Sequence, residues 1–252
     1  MKKFDVAALG ELLVDFTENG ISTQGNPVLE VNPGGAPCNV LSMLQNLGKS
    51  TAFIGKVGDD VFGRMLADAV KTQGINTDNL VVDPEVHTTL AFVHTKKDGD
   101  REFSFYRNPG ADMMLRWEEV QQEKLAQTRI FHFGTLSMTH EQVKDATQRA
   151  VQHAQKEGAL ISFDPNLRPP LWNSLEDAAR QMWYGIGQCD ILKISDDEIA
   201  FLTGKKDIDQ GIAEILRKNR PILICATMGK HGARHIIREK AYFASRFCGT
   251  TR

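Results

Sequence analysis

Short apolar runs alternate with stretches of helical period along most of the chain. Phe4 to Leu9 is a compact apolar run closed by Gly10 and predicts a buried strand. Leu12 to Thr17 predicts a second strand, with Asp15 set between Val14 and Phe16. A carboxylate there needs a partner, so Asp15 is either paired structurally or held for a ligand hydroxyl. Residues 19–27 are rich in turn formers. Val31 to Val40, Val-Asn-Pro-Gly-Gly-Ala-Pro-Cys-Asn-Val, predicts a tight loop feeding a helix N-terminus. Val40, Leu41, Leu44 and Leu47 then recur at helical spacing, with Gly48 as the terminating residue.

Thr51 to Val57 predicts a strand, and Gly58-Asp59-Asp60 opens a helix that ends near Gly74. Between Thr88 and Arg107 the texture changes: residues 88–95 are β-rich, Lys97-Asp98-Gly99-Asp100 predicts a hairpin turn, and Glu102 to Arg107 alternates. A hairpin among β-α units tends to leave the main sheet, so a flap or lid is expected here. The alternation then resumes. Strands are expected over 129–133, 159–163, 190–194, 221–227 and from Ala233. Helices are expected over 140–157, opened by a Thr139-His140-Glu141-Gln142 capping box, and over 174–187, 195–202 and 207–218. Repeated strand–helix units imply a parallel sheet covered on both faces, with ligands beyond the carboxyl ends of the strands. Polar clusters follow four of these strands in turn.

Composition narrows the class. The 252 residues suit one large α/β domain or two small ones, and a formal net charge of -2 gives no global attraction to nucleic acid or anionic membranes. The four cysteines, Cys38, Cys189, Cys225 and Cys248, form no C-x-x-C pair, which fits a reducing cytoplasm rather than a disulfide framework. Asp5 and Glu11 interrupt the N-terminal apolar stretch, so no signal peptide is expected, and no run is long enough to span a bilayer. His231 and His235 are four apart, but on loop and strand rather than on one helix face, which argues against a metal site.

Gly34-Gly35-Ala36-Pro37-Cys38-Asn39, followed by Gly58-Asp59-Asp60-Val61-Phe62-Gly63, resembles the first signature of the ribokinase-like (PfkB) carbohydrate kinases. Phe105-Tyr106-Arg107-Asn108-Pro109-Gly110-Ala111-Asp112 and Asp164-Pro165-Asn166-Leu167-Arg168 resemble the fructokinase branch. Leu192-Lys193-Ile194-Ser195-Asp196-Asp197-Glu198 and Thr227-Met228-Gly229-Lys230-His231-Gly232 resemble the family's later nucleotide-side segments. The resemblance covers Lys3 to Ala244. It implies a three-layer ribokinase-like fold, a parallel-dominated sheet flanked by helices, with a small β-sheet lid from roughly 12–33 and 88–110. It also implies ATP-dependent phosphorylation of a sugar hydroxyl, with fructose as the first substrate.

By position the resemblance assigns the sugar to Asp15, Gly34, Gly35 and Asn39, with Phe105, Tyr106 and Arg107 closing over it from the lid. A carboxylate and an amide each take vicinal hydroxyls, and glycine lets a ring lie against the backbone. The resemblance assigns Arg168 to the charge on the transferring phosphoryl group. Asn166, Lys193, Ser195, Thr227, Gly229 and Gly232 fall on the nucleotide side, and Glu198 would arrange Mg2+ through water. Ser195 with Glu198 is also a Ser-x-x-Glu capping box, and Gly229 to Gly232 is also a plain hairpin turn. Pairing of two chains through the lid is a further implication.

The chain departs from the family pattern at its end. After Ala244 it reads Ser-Arg-Phe-Cys-Gly-Thr-Thr-Arg, without the second signature Asp-Thr-x-Gly-Ala-Gly-Asp that supplies an anion hole and the catalytic base. General base catalysis contributes about 10²–10⁴-fold, so the expectation is a C-terminally truncated domain of reduced or absent activity. The alternatives are a non-catalytic sugar-binding remnant, or a kinase for 2-keto-3-deoxygluconate or a nucleoside.

Overall fold

The computed structural model describes residues 2–95, 101–237 and 240–244, and the chain divides into two compact units. The expected turn at Lys97-Asp98-Gly99-Asp100 and the dissimilar tail after Ala244 lie outside the described residues. The first unit holds residues 1–131 and 137–159. Its elements are β1 (Phe4–Leu9), β2 (Leu13–Ile21), β3 (Pro27–Gly34), α1 (Ala36–Asn46), β4 (Thr51–Gly58), α2 (Val61–Thr72), β5 (Asn76–Asp83), β6 (Leu90–Thr95), β7 (Arg101–Tyr106), α3 (Gln122–Ala126), the first half of β8 (Thr128–Gly134) and α4 (Glu141–Lys156).

In this unit β1 lies between β8 and β4, and β5 follows β4. β1, β4 and β5 run parallel, in the register Val6↔Thr51 and Gly55↔Leu80. Every residue of β4 is buried, as a strand covered on both faces requires. Leu12, Val14, Leu41, Phe53, Val57, Leu66 and Val70 close the core beneath α1 and α2. Asp60 caps α2 by accepting from the Gly63 N–H at 2.7 Å, as the acidic start predicted.

A separate four-stranded sheet has the order β3-β2-β6-β7. β2 pairs antiparallel with β3 (Leu13↔Gly34 to Ile21↔Pro27) and parallel with β6, and β6 pairs antiparallel with β7. Two sequence expectations change here. Residues 31–34 are the end of a strand rather than a loop, because β3 is an edge strand and Pro33 is tolerated there. Residues 19–21 likewise continue β2. The edge strand β5 went unread because polar Asn76, Asp78, Asn79 and Asp83 break its apolar pattern. Asn79 is buried yet satisfied, donating to the Glu119 carbonyl at 2.8 Å and accepting from Gln121 N–H at 2.7 Å.

The cap of α4 also differs. His140, not Thr139, is the N-cap, its ring nitrogen accepting from Gln142 N–H at 3.4 Å. Thr139 is drawn away because its hydroxyl accepts from the Arg107 guanidinium at 2.7 Å.

The second unit holds residues 132–136 and 160–252. It contains the end of β8, then β9 (Leu160–Asp164), α5 (Leu175–Gln188), β10 (Ile191–Ser195), α6 (Asp196–Thr203), α7 (Ile208–Lys218), β11 (Leu223–Thr227), β12 (Ala233–Ile237) and β13 (Lys240–Ala244). The strand order is β8-β9-β10-β11-β12-β13. β9, β10 and β11 are parallel, and β12 and β13 are antiparallel additions. Phe133 packs on Phe163 with ring centroids 4.7 Å apart, and Gly185 lets α5 approach that Phe163 ring, where a Cβ would collide. The main sheet is thus mostly parallel and flanked by helices, with a second small sheet, as the alternation predicted. Among the described residues no helix is long and apolar enough to cross a membrane.

Candidate functional site

In the first unit the chain turns from β3 into α1 at Gly34-Gly35. Gly35 is the N-cap of α1 at φ 116°, and a Cβ there would strike the Glu11 carbonyl, so both the dihedral and the space demand glycine. Asp15 is half-buried on β2, and its carboxylate lies against Gly34, where a Cβ would collide with Oδ2. Asn39 sits in the first turn of α1, exposed, its N–H donating to the Gly35 carbonyl at 3.1 Å. Gly34 and Asn39 also line a cavity of about 30 Å³ with Leu12, Cys38, Ser42 and Gln73.

Strand alternation sorts the aromatic residues of the small sheet. Asp15 pairs with Asn32 and Ala91, and Ala91 pairs with Phe105, so these side chains share one face. Phe103 stacks beside Phe105 on that face, ring centroids 5.9 Å apart. Tyr106 projects to the opposite face, where it meets Phe92 at 5.2 Å, and Phe92 stacks on Phe16 at 4.8 Å. Phe105 and Tyr106, neighbours in the strand, therefore face opposite sides of the small sheet.

Arg107 follows directly on β7. Its side chain is 2% exposed and turned inward. Nε and one terminal nitrogen donate to Asp112 Oδ2 at 2.9 and 2.6 Å, and the other terminal nitrogen donates to Thr139. The Thr89 hydroxyl donates to the second Asp112 oxygen at 2.5 Å. This pair, with Glu11 nearby, forms a buried polar support behind the glycine loop. Glu11 accepts from Ala36 N–H at 2.7 Å, and burial pushes its carboxyl up to about 7. Glu11 and Asp112 were missed in the sequence. The signal for Glu11 was a charge lodged beside apolar segments, and Asp112 closes the run from Phe105 that carries the resemblance.

In the second unit the candidate residues fall at the carboxyl ends of β9, β10 and β11. Asp164 ends β9 and holds Lys193 Nζ at 3.2 Å and Asn166 N–H at 3.1 Å. Burial pushes the Asp164 carboxyl above its ordinary range, against the pull of Lys193. Asn166 takes the left-handed conformation at φ 45°, one that asparagine tolerates better than most side chains. Arg168, half-buried, follows at the start of a short 3-10 turn and donates to the Leu167 carbonyl at 3.1 Å. Ser195 ends β10 beside Thr227 of β11, in register. Gly229 and Gly232 both take positive φ, and a Cβ at Gly229 would meet open space.

Glu198 forms the capping box of α6 with Ser195. One carboxylate oxygen accepts from the Ser195 N–H and hydroxyl at 2.8 and 2.9 Å, and the other accepts from Leu167 N–H at 2.8 Å. Both oxygens are therefore engaged by the protein. Among the described residues no group of three or more His, Cys, Asp or Glu is placed to hold a metal ion. Lys193, Arg168 and the glycine-bearing loop supply positive charge and backbone donors, the chemistry of a phosphate site.

The sequence model of the pfkB family carbohydrate kinases matches residues 3–251. The chain is 40% identical over 247 residues to fructokinase-2 of Solanum habrochaites, covering 97% of this chain and 73% of that one. Among solved structures, the fructokinase of Xylella fastidiosa superposes with a TM-score of 0.90 at 31% identity, over 99% of this chain and 77% of that chain. Its form with bound ATP gives 0.88 at 31% identity, over 99% and 76%. The fructokinase of Vibrio cholerae O395, in its fructose, ADP and calcium ion bound form, gives 0.85 at 26% identity, over 96% and 76%.

Proposed function

The chain belongs to the pfkB family of carbohydrate kinases, and from that membership we propose that it binds fructose and ATP and transfers the terminal phosphoryl group to a sugar hydroxyl. The observation that carries the sugar half is the Asp15 carboxylate laid against Gly34 at the mouth of α1. It offers an acceptor for vicinal hydroxyls beside a bare stretch of backbone. Asp15, Gly34, Gly35 and Asn39 hold the sugar, and Phe105 covers its apolar side from the face it shares with Asp15. Tyr106 and Arg107 act from behind, as packing and support.

On the nucleotide side, Asn166, Lys193, Ser195, Thr227, Gly229 and Gly232 hold ATP, and Arg168 spreads the charge on the phosphoryl group in transfer. Mg2+, where bound, neutralises phosphate charge, and Glu198 orients its water shell. Closure of the small sheet over the sugar would exclude water and limit wasteful hydrolysis. Pairing of two chains through that sheet is supported by its exposed apolar residues Ile21, Val28, Leu29 and Val31. Cys38, Cys189 and Cys225 are free thiols, which suits a cytoplasmic setting.

A coupled assay for ADP release on fructose, 2-keto-3-deoxygluconate and a nucleoside tests this reading. Fructose-dependent turnover supports it. Turnover confined to another acceptor would move the substrate, and fructose binding without ADP release would replace catalysis with sugar binding alone.

A further inference from the structure

α1 begins without a side chain of its own to cap it. Its N-cap is Gly35, no local side chain accepts from the first turn, and no acidic residue lies in that turn. The free N–H groups and the partial positive charge of a helix start call for an acceptor. Glu11 supplies it from 25 residues upstream, with Oε1 at 2.7 Å from the Ala36 nitrogen. Its side chain is buried, and the backbone on either side of it is fitted to the same loop: a Cβ at Gly10 would collide with Pro37, and a Cβ at Gly35 would collide with the Glu11 carbonyl. The link between β1 and β2 and the start of α1 are therefore interlocked, and the Glu11 carboxylate is the polar contact that fixes them.

We propose that Glu11 is a positioning residue for sugar recognition: in its ionised form it caps α1 from outside the helix and sets Gly34 and Gly35 against Asp15, so that sugar affinity falls when Glu11 takes up a proton. The inference rests on the sugar reading of the glycine loop given above. The charged and titratable groups that face Glu11 are Asp112, whose charge disfavours its ionisation, Arg107, whose charge favours it, and the Cys38 thiol on α1, which burial first and the Glu11 charge second hold protonated. Burial is the largest influence and keeps the carboxyl near neutral pH, opposed by hydrogen bonds from its own N–H and from Ala36 N–H. The protonated form is a weaker acceptor and loses its attraction to the helix terminus, which frees the loop to leave its sugar-ready setting.

The test is fructose affinity by calorimetry on the full chain between pH 6 and 8, beside the NMR shift of the Ala36 amide over the same range. If only the ionised form is competent, the apparent dissociation constant rises about tenfold from pH 8 to pH 6, and E11Q abolishes that dependence while leaving ATP affinity unchanged. The Ala36 amide titrates with a midpoint near 7 in the wild type and not in E11Q. A fructose affinity that is flat with pH, or a pH dependence that survives in E11Q, overturns the proposal. Should E11Q fail to fold, the wild-type titration alone decides. If no fructose binds at any pH while Ala36 still titrates, the capping contact stands and it is the sugar reading of the loop that fails.

Discussion

Gly34 and Asp15 occupy one another's space: a Cβ at position 34 would meet Asp15 Oδ2, and Leu13, which pairs with Gly34 across β2 and β3, would crowd it from the same side. Gly34→Ala must push the carboxylate or the loop away. Overpacking of this kind costs about 1–3 kcal/mol, and displacement of a recognition group by an ångström costs binding or turnover on the order of 10²-fold. Thermal unfolding and fructose calorimetry should both register the change. A variant with unaltered fructose affinity would remove Asp15 and Gly34 from the sugar site.

Asp15 itself separates recognition from folding. Hydrogen bonds to a charged group are worth about 1.5–3 kcal/mol, so Asp15→Ala is expected to weaken fructose binding by roughly 10- to 100-fold and to leave ATP affinity intact. Equal losses for both ligands would mean that the carboxylate holds the fold rather than the sugar.

The Arg107–Asp112 pair makes a sharper statement about stability. Both side chains are 2% exposed, and the pair is bidentate on one carboxylate oxygen. Removing one member leaves a buried, uncompensated charge, at a cost of about 3–5 kcal/mol. Asp112→Ala should therefore lower the denaturant midpoint steeply, and Arg107→Lys should also do damage because an ammonium cannot reproduce the fork. A double variant that replaces both with apolar residues should recover part of the loss. Equal damage in the double and single variants would show that Thr89 and Thr139, not the ion pair, hold this region.

What the sequence disclosed follows the strength of its local signals. Long periodic segments such as 141–156 and buried runs such as Phe4 to Leu9 stand out because one face, or both, must be apolar. The turn from β3 into α1 was located by its glycines, but β3 itself was hidden, since Asn32-Pro33-Gly34 carries turn chemistry on an edge strand. Phe105 and Tyr106 could be assigned to a lid but not to a face until pairing with β6 fixed the register. Arg107 looked like a surface donor because the groups that bury it are nonlocal: Asp112 lies five residues on, but Thr139 is brought to it by tertiary structure. Glu11 gave least warning of all: a nonlocal cap leaves no pattern around the residue that makes it, only an absence around the helix that needs it.

Two buried groups with opposite shifts should leave a distinctive pH dependence of stability. Burial holds His132, beside the Ser162 hydroxyl at 3.0 Å, down at about 4. Its unfolded form takes up a proton first, so the stability tied to neutral His132 is complete above pH 6.5 and is lost as pH falls toward 4, by about 1.4 kcal/mol per unit. Glu11 runs the other way. Its folded form, held up to about 7, keeps a proton that the unfolded form releases near 4.5, so stability is highest below 4.5 and declines as pH rises to 7. Between 4.5 and 6.5 the two slopes oppose, and the wild type should be nearly flat in urea midpoint. His132→Gln should expose the Glu11 decline, and Glu11→Gln should expose the His132 rise. Parallel curves for the three proteins would show that neither group titrates differently on folding. The decline attributed to Glu11 is also what its positioning role requires, because the ionised form that sets the sugar loop is the one the interior disfavours.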